Sequence, residues 1–197
     1  MHYLKVPTSQ FLPHLSCEIE VHLKAGELRV LCGENGIGKS TLLRKFFEQN
    51  KDINCIILGD QKPLDFFFDR KLATFKEILF PDPSGINASR FGKYWKASGL
   101  LNKEDRLLSQ LSGGESQFLK LITLCSAEGE LYFLDEPGQY LDREKKSLAN
   151  LMLEDLKLAG KSILVIEHDY SWFSTGTPVT ELCIQESTLK EGKTWII

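Results

Sequence analysis

Long apolar runs are missing from this 197-residue sequence. None approaches the roughly 20 residues that a helix needs to cross a bilayer. The opening residues, Met1-His2-Tyr3-Leu4-Lys5, lack the apolar core of a secretory signal. Paired cysteines are missing as well. The five, at 17, 32, 55, 125 and 183, are odd in number and form no CxxC pair, which argues against a disulfide framework or a zinc knuckle. Cys32, Cys55, Cys125 and Cys183 lie among apolar residues and read as small core side chains in a reducing compartment. Charge of one sign is not in excess: 24 basic and 27 acidic residues leave a net charge of −3. That gives a nucleic acid little purchase beyond a local basic patch. There is no internal repeat and no low-complexity stretch. A hydrophobic fraction of 42% excludes disorder and suits one compact soluble domain.

What is present is an alternation. Leu28–Cys32, Ile53–Leu58, Leu131–Leu134 and Ser162–Ile166 read as buried strands, and Lys39–Gln49, Ser112–Ala127 and Arg143–Ala159 as helices. Such alternation predicts an α/β fold with a parallel sheet and crossover helices, and ligands at the carboxyl ends of the strands. Residues 62–111 break the rhythm and predict an inserted helical subdomain. There Leu72, Phe75, Ile78 and Leu79 share a helical face, Thr74-x-x-Glu77 fits a capping box, and Pro81–Gly85 is a turn cluster. Glu181–Ile184 and Thr194–Ile197 predict two closing strands around Leu189–Lys193.

Gly33-Glu34-Asn35-Gly36-Ile37-Gly38-Lys39-Ser40-Thr41 matches G-x4-G-K-[ST] between a strand and a helix. Glycines let successive N–H groups turn inward on phosphate oxygens, and the helix adds its positive end. Lys39 is placed to reach the β and γ phosphates, and Ser40 to ligate Mg2+. The strand Leu131–Leu134 runs into Asp135 and Glu136. Asp135 is the expected second Mg2+ ligand, through water, and Glu136 the group that polarises an attacking water. A third segment, Leu111-Ser112-Gly113-Gly114-Glu115-Ser116-Gln117, has two readings. Ser112-x-x-Glu115 is a good capping box. Two glycines in a first helical turn cost about 1 kcal/mol each, and they make sense where an anion approaches the backbone closely.

With these motifs in this order, the chain resembles the nucleotide-binding domain of ABC-type ATPases, over nearly its whole length. LSGGESQ is similar to that family's signature. Gln61 falls at the place of the Q-loop glutamine, another Mg2+ contact. Tyr140-Leu141-Asp142 resembles the D-loop, His168 the switch histidine, and Phe11 the aromatic that stacks on adenine. A core position is the other reading of Phe11, and a structural histidine that of His168. The resemblance implies a single domain spanning 1–197: a P-loop NTPase, RecA-like in its mostly parallel sheet, with 1–61 and 112–197 as the ATP-binding core and a reduced antiparallel β-subdomain. It implies ATP and Mg2+ as cofactors, with Gly33, Glu34, Asn35, Gly36, Ile37, Gly38, Lys39, Ser40 and Thr41 around the phosphates. Two such domains, identical or not, close head-to-tail so that Ser112, Gly113 and Gly114 of one cap the γ-phosphate held by the other, with Asp142 at the joint. Glu136, His168 and Gln61 then carry hydrolysis.

Three departures from the family pattern stand out. The stretch from Lys39 to Gln61 is short, Phe118 replaces a basic residue after the signature, and Gly138-Gln139-Tyr140 lacks a Ser or Thr. The family implies a cytoplasmic subunit, peripheral on the inner face of the cell membrane, beside a separate membrane-spanning partner. Leu64-Asp65-Phe66-Phe67-Phe68 offers either local core packing or an exposed phenylalanine for that partner. A soluble ATPase acting on a protein assembly or nucleic acid, and a nucleotide-dependent interaction module with negligible hydrolysis, are the alternatives.

Overall fold

The computed structural model describes residues 1–7, 18–58, 69–79, 88–185 and 188–196. Phe11, Gln61, Leu64–Phe68 and Pro81–Gly85 lie outside them. The chain forms two compact units, one of residues 1–59, 129–137 and 154–197, the other of 60–128 and 138–153.

The first unit is built on continuous apolar runs. The strands are β1 (His2–Pro7), β2 (Glu18–Leu23), β3 (Leu28–Gly33), β4 (Cys55–Leu58), β5 (Leu131–Asp135), β6 (Ser162–Ile166), β7 (Pro178–Gln185) and β8 (Thr188–Ile196). Six of them form one sheet in the order β4-β5-β6-β3-β7-β8. The first five are mutually parallel, and β8 is an antiparallel edge. Leu131 through Leu134 and Ile163 through Ile166 are all fully buried, as strands covered on both faces require. Each such side chain contributes about 1.5–3 kcal/mol. Helix α1 (Lys39–Gln49) places Leu42, Leu43 and Phe46 against Leu31, Leu131, Phe133, Leu164 and Ile166. A separate antiparallel ribbon of β1 and β2 pairs Leu4 with Val21 and Val6 with Ile19, and their side chains join the same core. This is the small antiparallel sheet that the resemblance implied.

The second unit is helical. Helices α2 (Leu72–Leu79), α3 (Ala88–Ala97) and α4 (Gly113–Ser126) are joined by 3-10 turns at Leu100–Lys103 and Leu108–Gln110, and α5 (Arg143–Leu158) begins here. It is wider than the expected 62–111 because α4 packs on α3: Arg90 donates through Nη1 to the Cys125 carbonyl at 2.9 Å. Phe91 stacks on Trp95 at 5.1 Å, and both are buried. Phe118 is fully buried, so at this position a core side chain stands where the family pattern has a basic one.

Three expectations need correction, and one element was given no residues by the sequence. Thr74 lies inside α2 and caps nothing. That helix starts at Leu72, whose N–H is taken by the Arg106 carbonyl, and the Ala73 N–H by that of Glu104, both at 2.9 Å. Ile53 precedes β4 in a turn closed by its N–H to the Asn50 carbonyl. Leu189–Lys193 belongs to β8, with Leu182 opposite Glu191. The ribbon β1–β2 has no counterpart among the expected strands. The free thiols Cys32 and Cys125 are buried and Cys55 is partly so. Burial pushes Cys125 up to about 12 and Cys55 up to about 11, so these are inert core groups.

Candidate functional site: the phosphate loop and the signature turn

In the first unit, the strand ends collect the expected residues. In the parallel register Leu31 lies beside Ile166, and Ile166 beside Asp135. The chain therefore leaves β3, β5 and β6 at one level. From β3 it enters the glycine loop, which turns through positive φ at Gly36 (79°) and Gly38 (96°), conformations that glycine adopts without penalty. Gly38 is the N-cap of α1. No side chain caps this helix, and no acid lies in its first turn. Its amide donors are left to face an anion.

Lys39 is 6% exposed. Its Nζ donates to the carbonyls of Gly33 at 2.8 Å and Glu34 at 2.9 Å, folding the side chain over the loop. Burial draws its pKa below the ordinary lysine value, while Glu136, Cys32 and Asp135 push it back up. The two acids thus lie close enough to act on the ammonium. Glu136 holds φ 46°, a strained conformation for a non-glycine residue. Its N–H donates to the Ile166 carbonyl at 2.9 Å, which pins this backbone to β6. His168 follows β6, and its Nε2 stands 3.4 Å from Glu136 Oε1. Its N–H donates to Glu167 Oε1 at 3.0 Å. Lys39, Asp135, Glu136 and His168 are therefore brought together; Phe11 and Gln61 fall outside the described residues.

The donor chemistry fits magnesium. Ser40 in the first turn of α1 and Asp135 at the end of β5 offer hard oxygen donors. Magnesium takes one or two such groups and completes its shell with water and phosphate. Among the described residues no cluster of three or more His, Cys, Asp or Glu offers a richer cage.

In the second unit, Ser112 caps α4. Its Oγ accepts from the Glu115 N–H at 3.3 Å, and its own N–H donates to Glu115 Oε2 at 2.8 Å. The capping box is real. The glycines have separate reasons. A Cβ on Gly114 would stand 2.6 Å from the Tyr140 carbonyl oxygen, whereas one on Gly113 would meet only ordinary contacts with the Tyr140 side chain, at 3.8 Å. Gly114 is thus required by packing, and only Gly113 lacks a steric reason. Tyr140 holds φ 63° and is 73% exposed. Asp142 accepts the Lys145 N–H at 2.8 Å through Oδ1 and pairs with the Lys145 ammonium through Oδ2. These bonds hold its carboxyl below the usual range, and they make it a cap of α5.

The first unit thus holds a phosphate-binding loop and an Asp-Glu strand end with a histidine beside it, and the second unit holds a capped Ser-Gly-Gly turn. The family profile described as "ABC transporter" matches residues 17–139. The chain belongs to the ABC transporter family. It is an ABC-type ATPase nucleotide-binding domain. A relative from Treponema denticola, named as a candidate ABC transporter ATP-binding protein, is 29% identical over 77% of this chain, which spans 37% of that relative's length. Among solved structures, an ATP-binding subunit of an ABC transporter matches 93% of this ABC domain and 84% of its own chain, with TM-score 0.71 and 15% identity. The archaeal ribosome recycling factor, solved with a ribosomal stalk protein, matches 89% of this chain and 40% of its own, with TM-score 0.70 and 21% identity. At such identities the two structures bear on fold alone.

Proposed function

We propose that this ABC domain hydrolyses ATP as a head-to-tail pair and energises transport through a separate membrane-spanning subunit. One observation carries the chemistry: Lys39, Asp135, Glu136 and His168 meet where β3, β5 and β6 end. In this reading the α1 amides and Lys39 grip the β and γ phosphates. Ser40 and Asp135 hold Mg2+, with Gln61 as a further contact. When bound, the ion neutralises charge between the phosphates. Glu136 orients and deprotonates the attacking water, and His168 steadies the Glu136 carboxylate and the γ-phosphate. Ser112 and Gly113 of the facing copy close the shell and exclude water. Phe11 stacks on the base, and Asp142 lies at the joint between copies.

Transport is supported by the family and by the name of the curated relative. No helix among the described residues is long and apolar enough to cross a membrane, so a membrane partner is part of the proposal, with the chain on the cytoplasmic side. Glu136→Gln tests the chemistry. Phosphate release should fall about 10²- to 10⁴-fold, while ATP affinity persists and an ATP-bound dimer accumulates on size exclusion. Turnover at the parent rate removes Glu136 from this role. Co-purification of the tagged chain from its own cells with an integral membrane protein tests the transport half; recovery in soluble assemblies alone overturns it.

A further inference from the structure

Lys103 belongs to no motif in the sequence. It ends the 3-10 turn Leu100–Lys103, which is anchored by buried Leu100 and by the Arg106 N–H donating to the Lys103 carbonyl at 2.9 Å. From there its ammonium bonds Glu115 Oε1, while Glu115 Oε2 takes the Ser112 N–H. Both carboxylate oxygens are thus engaged, and the Glu115 side chain is only 13% exposed. Ser112 and Gly113, one turn earlier, are exposed.

The arrangement answers an electrostatic problem. A carboxylate in the first turn of a helix stabilises that helix, because it faces the positive end of the macrodipole. The same charge opposes any second anion approaching the same amides. In α4 the capping box places a carboxylate there. We infer that Lys103 is a positioning residue for the signature turn: it folds the Glu115 carboxylate back onto the cap and cancels its charge, so that the Ser112 hydroxyl and the Gly113 amide can receive a phosphate. This rests on the proposed role of that turn in closing over ATP. Lys103 touches no phosphate in this scheme; it acts through Glu115.

The test measures MgATP-dependent self-association by sedimentation velocity, beside ATP affinity of the single chain by calorimetry. Lys103→Met should raise the protein concentration needed for half-maximal association about tenfold, with single-chain ATP affinity unchanged. Lys103→Gln, which keeps a donor without the charge, should show the same loss, and it serves if the methionine variant folds poorly. Lys103→Arg should associate like the parent. Adding Glu115→Gln to Lys103→Met removes the stranded charge but keeps an acceptor for the Ser112 N–H, and should restore association. Parent-like association of Lys103→Met and Lys103→Gln, or no restoration by Glu115→Gln, overturns the inference. Gly113→Ala separates the two levels: if it impairs association while both Lys103 variants do not, the signature reading stands and this inference falls. If neither Gly113→Ala nor the Lys103 variants matter, or the parent does not associate, the reading beneath it falls as well.

Discussion

Two helices of this chain begin at glycine-rich turns, and they treat their exposed amides in opposite ways. Helix α1 starts from a glycine in a left-handed conformation, with no side-chain cap and no acid. Helix α4 starts from a serine in extended conformation, with a complete capping box and a lysine on its acid. A helix start with a glycine cap gives up roughly a few tenths of a kcal/mol of cap stabilisation and leaves amide donors that a bound anion can satisfy. The capped one is stable alone and offers fewer donors. The lesson is a division of labour: the first turn suits lasting possession of a nucleotide, and the second suits a contact made and released.

The comparison can be broken at each end. Lys39→Ala removes the cation that the uncapped turn relies on. ATP affinity should fall on the order of 10- to 100-fold; unchanged affinity by calorimetry would show that the loop amides suffice. At the capped turn, Gly114→Ala should push the Tyr140 carbonyl away and destabilise the fold by about 1–3 kcal/mol without any nucleotide, read as a lower melting temperature. Gly113→Ala should leave that temperature unchanged or slightly raised, since alanine favours a helix by about 1 kcal/mol. Equal losses in both variants would erase the distinction between packing and anion approach. The smallest effect concerns Glu115. Burial tends to raise its pKa, but Lys103 and the Ser112 donors prevail and hold it below the ordinary value. Its stabilising contribution is therefore complete above the unfolded-state pKa and is lost as pH falls through the lower folded value. The stability gap between the parent and Glu115→Gln should narrow on acidification; a gap that widens below pH ~4.5 contradicts this sign.

The parallel sheet was legible because its strands are continuous apolar runs: Ser162–Ile166 is both the expected and the observed strand. Helix α1 was legible from its loop and its spacing. The β1–β2 ribbon speaks in another pattern, the alternation of Leu4 and Val6, and of Ile19, Val21 and Leu23, with polar residues between. A search for unbroken runs passes over it. The start of α2 was hidden for a different reason. Its first amides are satisfied by carbonyls of Glu104 and Arg106, distant in sequence, so Thr74 advertises a cap that the chain does not use. At the site, Lys39, Asp135 and Glu136 are singled out by local motifs, and His168 only by the family resemblance. The strained φ of Glu136, the Tyr140 carbonyl over Gly114 and the Lys103–Glu115 pair arise only when separate segments meet.

The Tyr140 contact bears on how this chain tolerates an unusual residue. What presses on Gly114 is a main-chain oxygen, which every amino acid possesses, while the phenol ring of Tyr140 projects into water. Because the contact uses the main chain alone, the tyrosine at this position leaves the joint intact. The tolerance is asymmetric: position 140 can accept many side chains as long as its backbone keeps its bend, whereas position 114 can accept none.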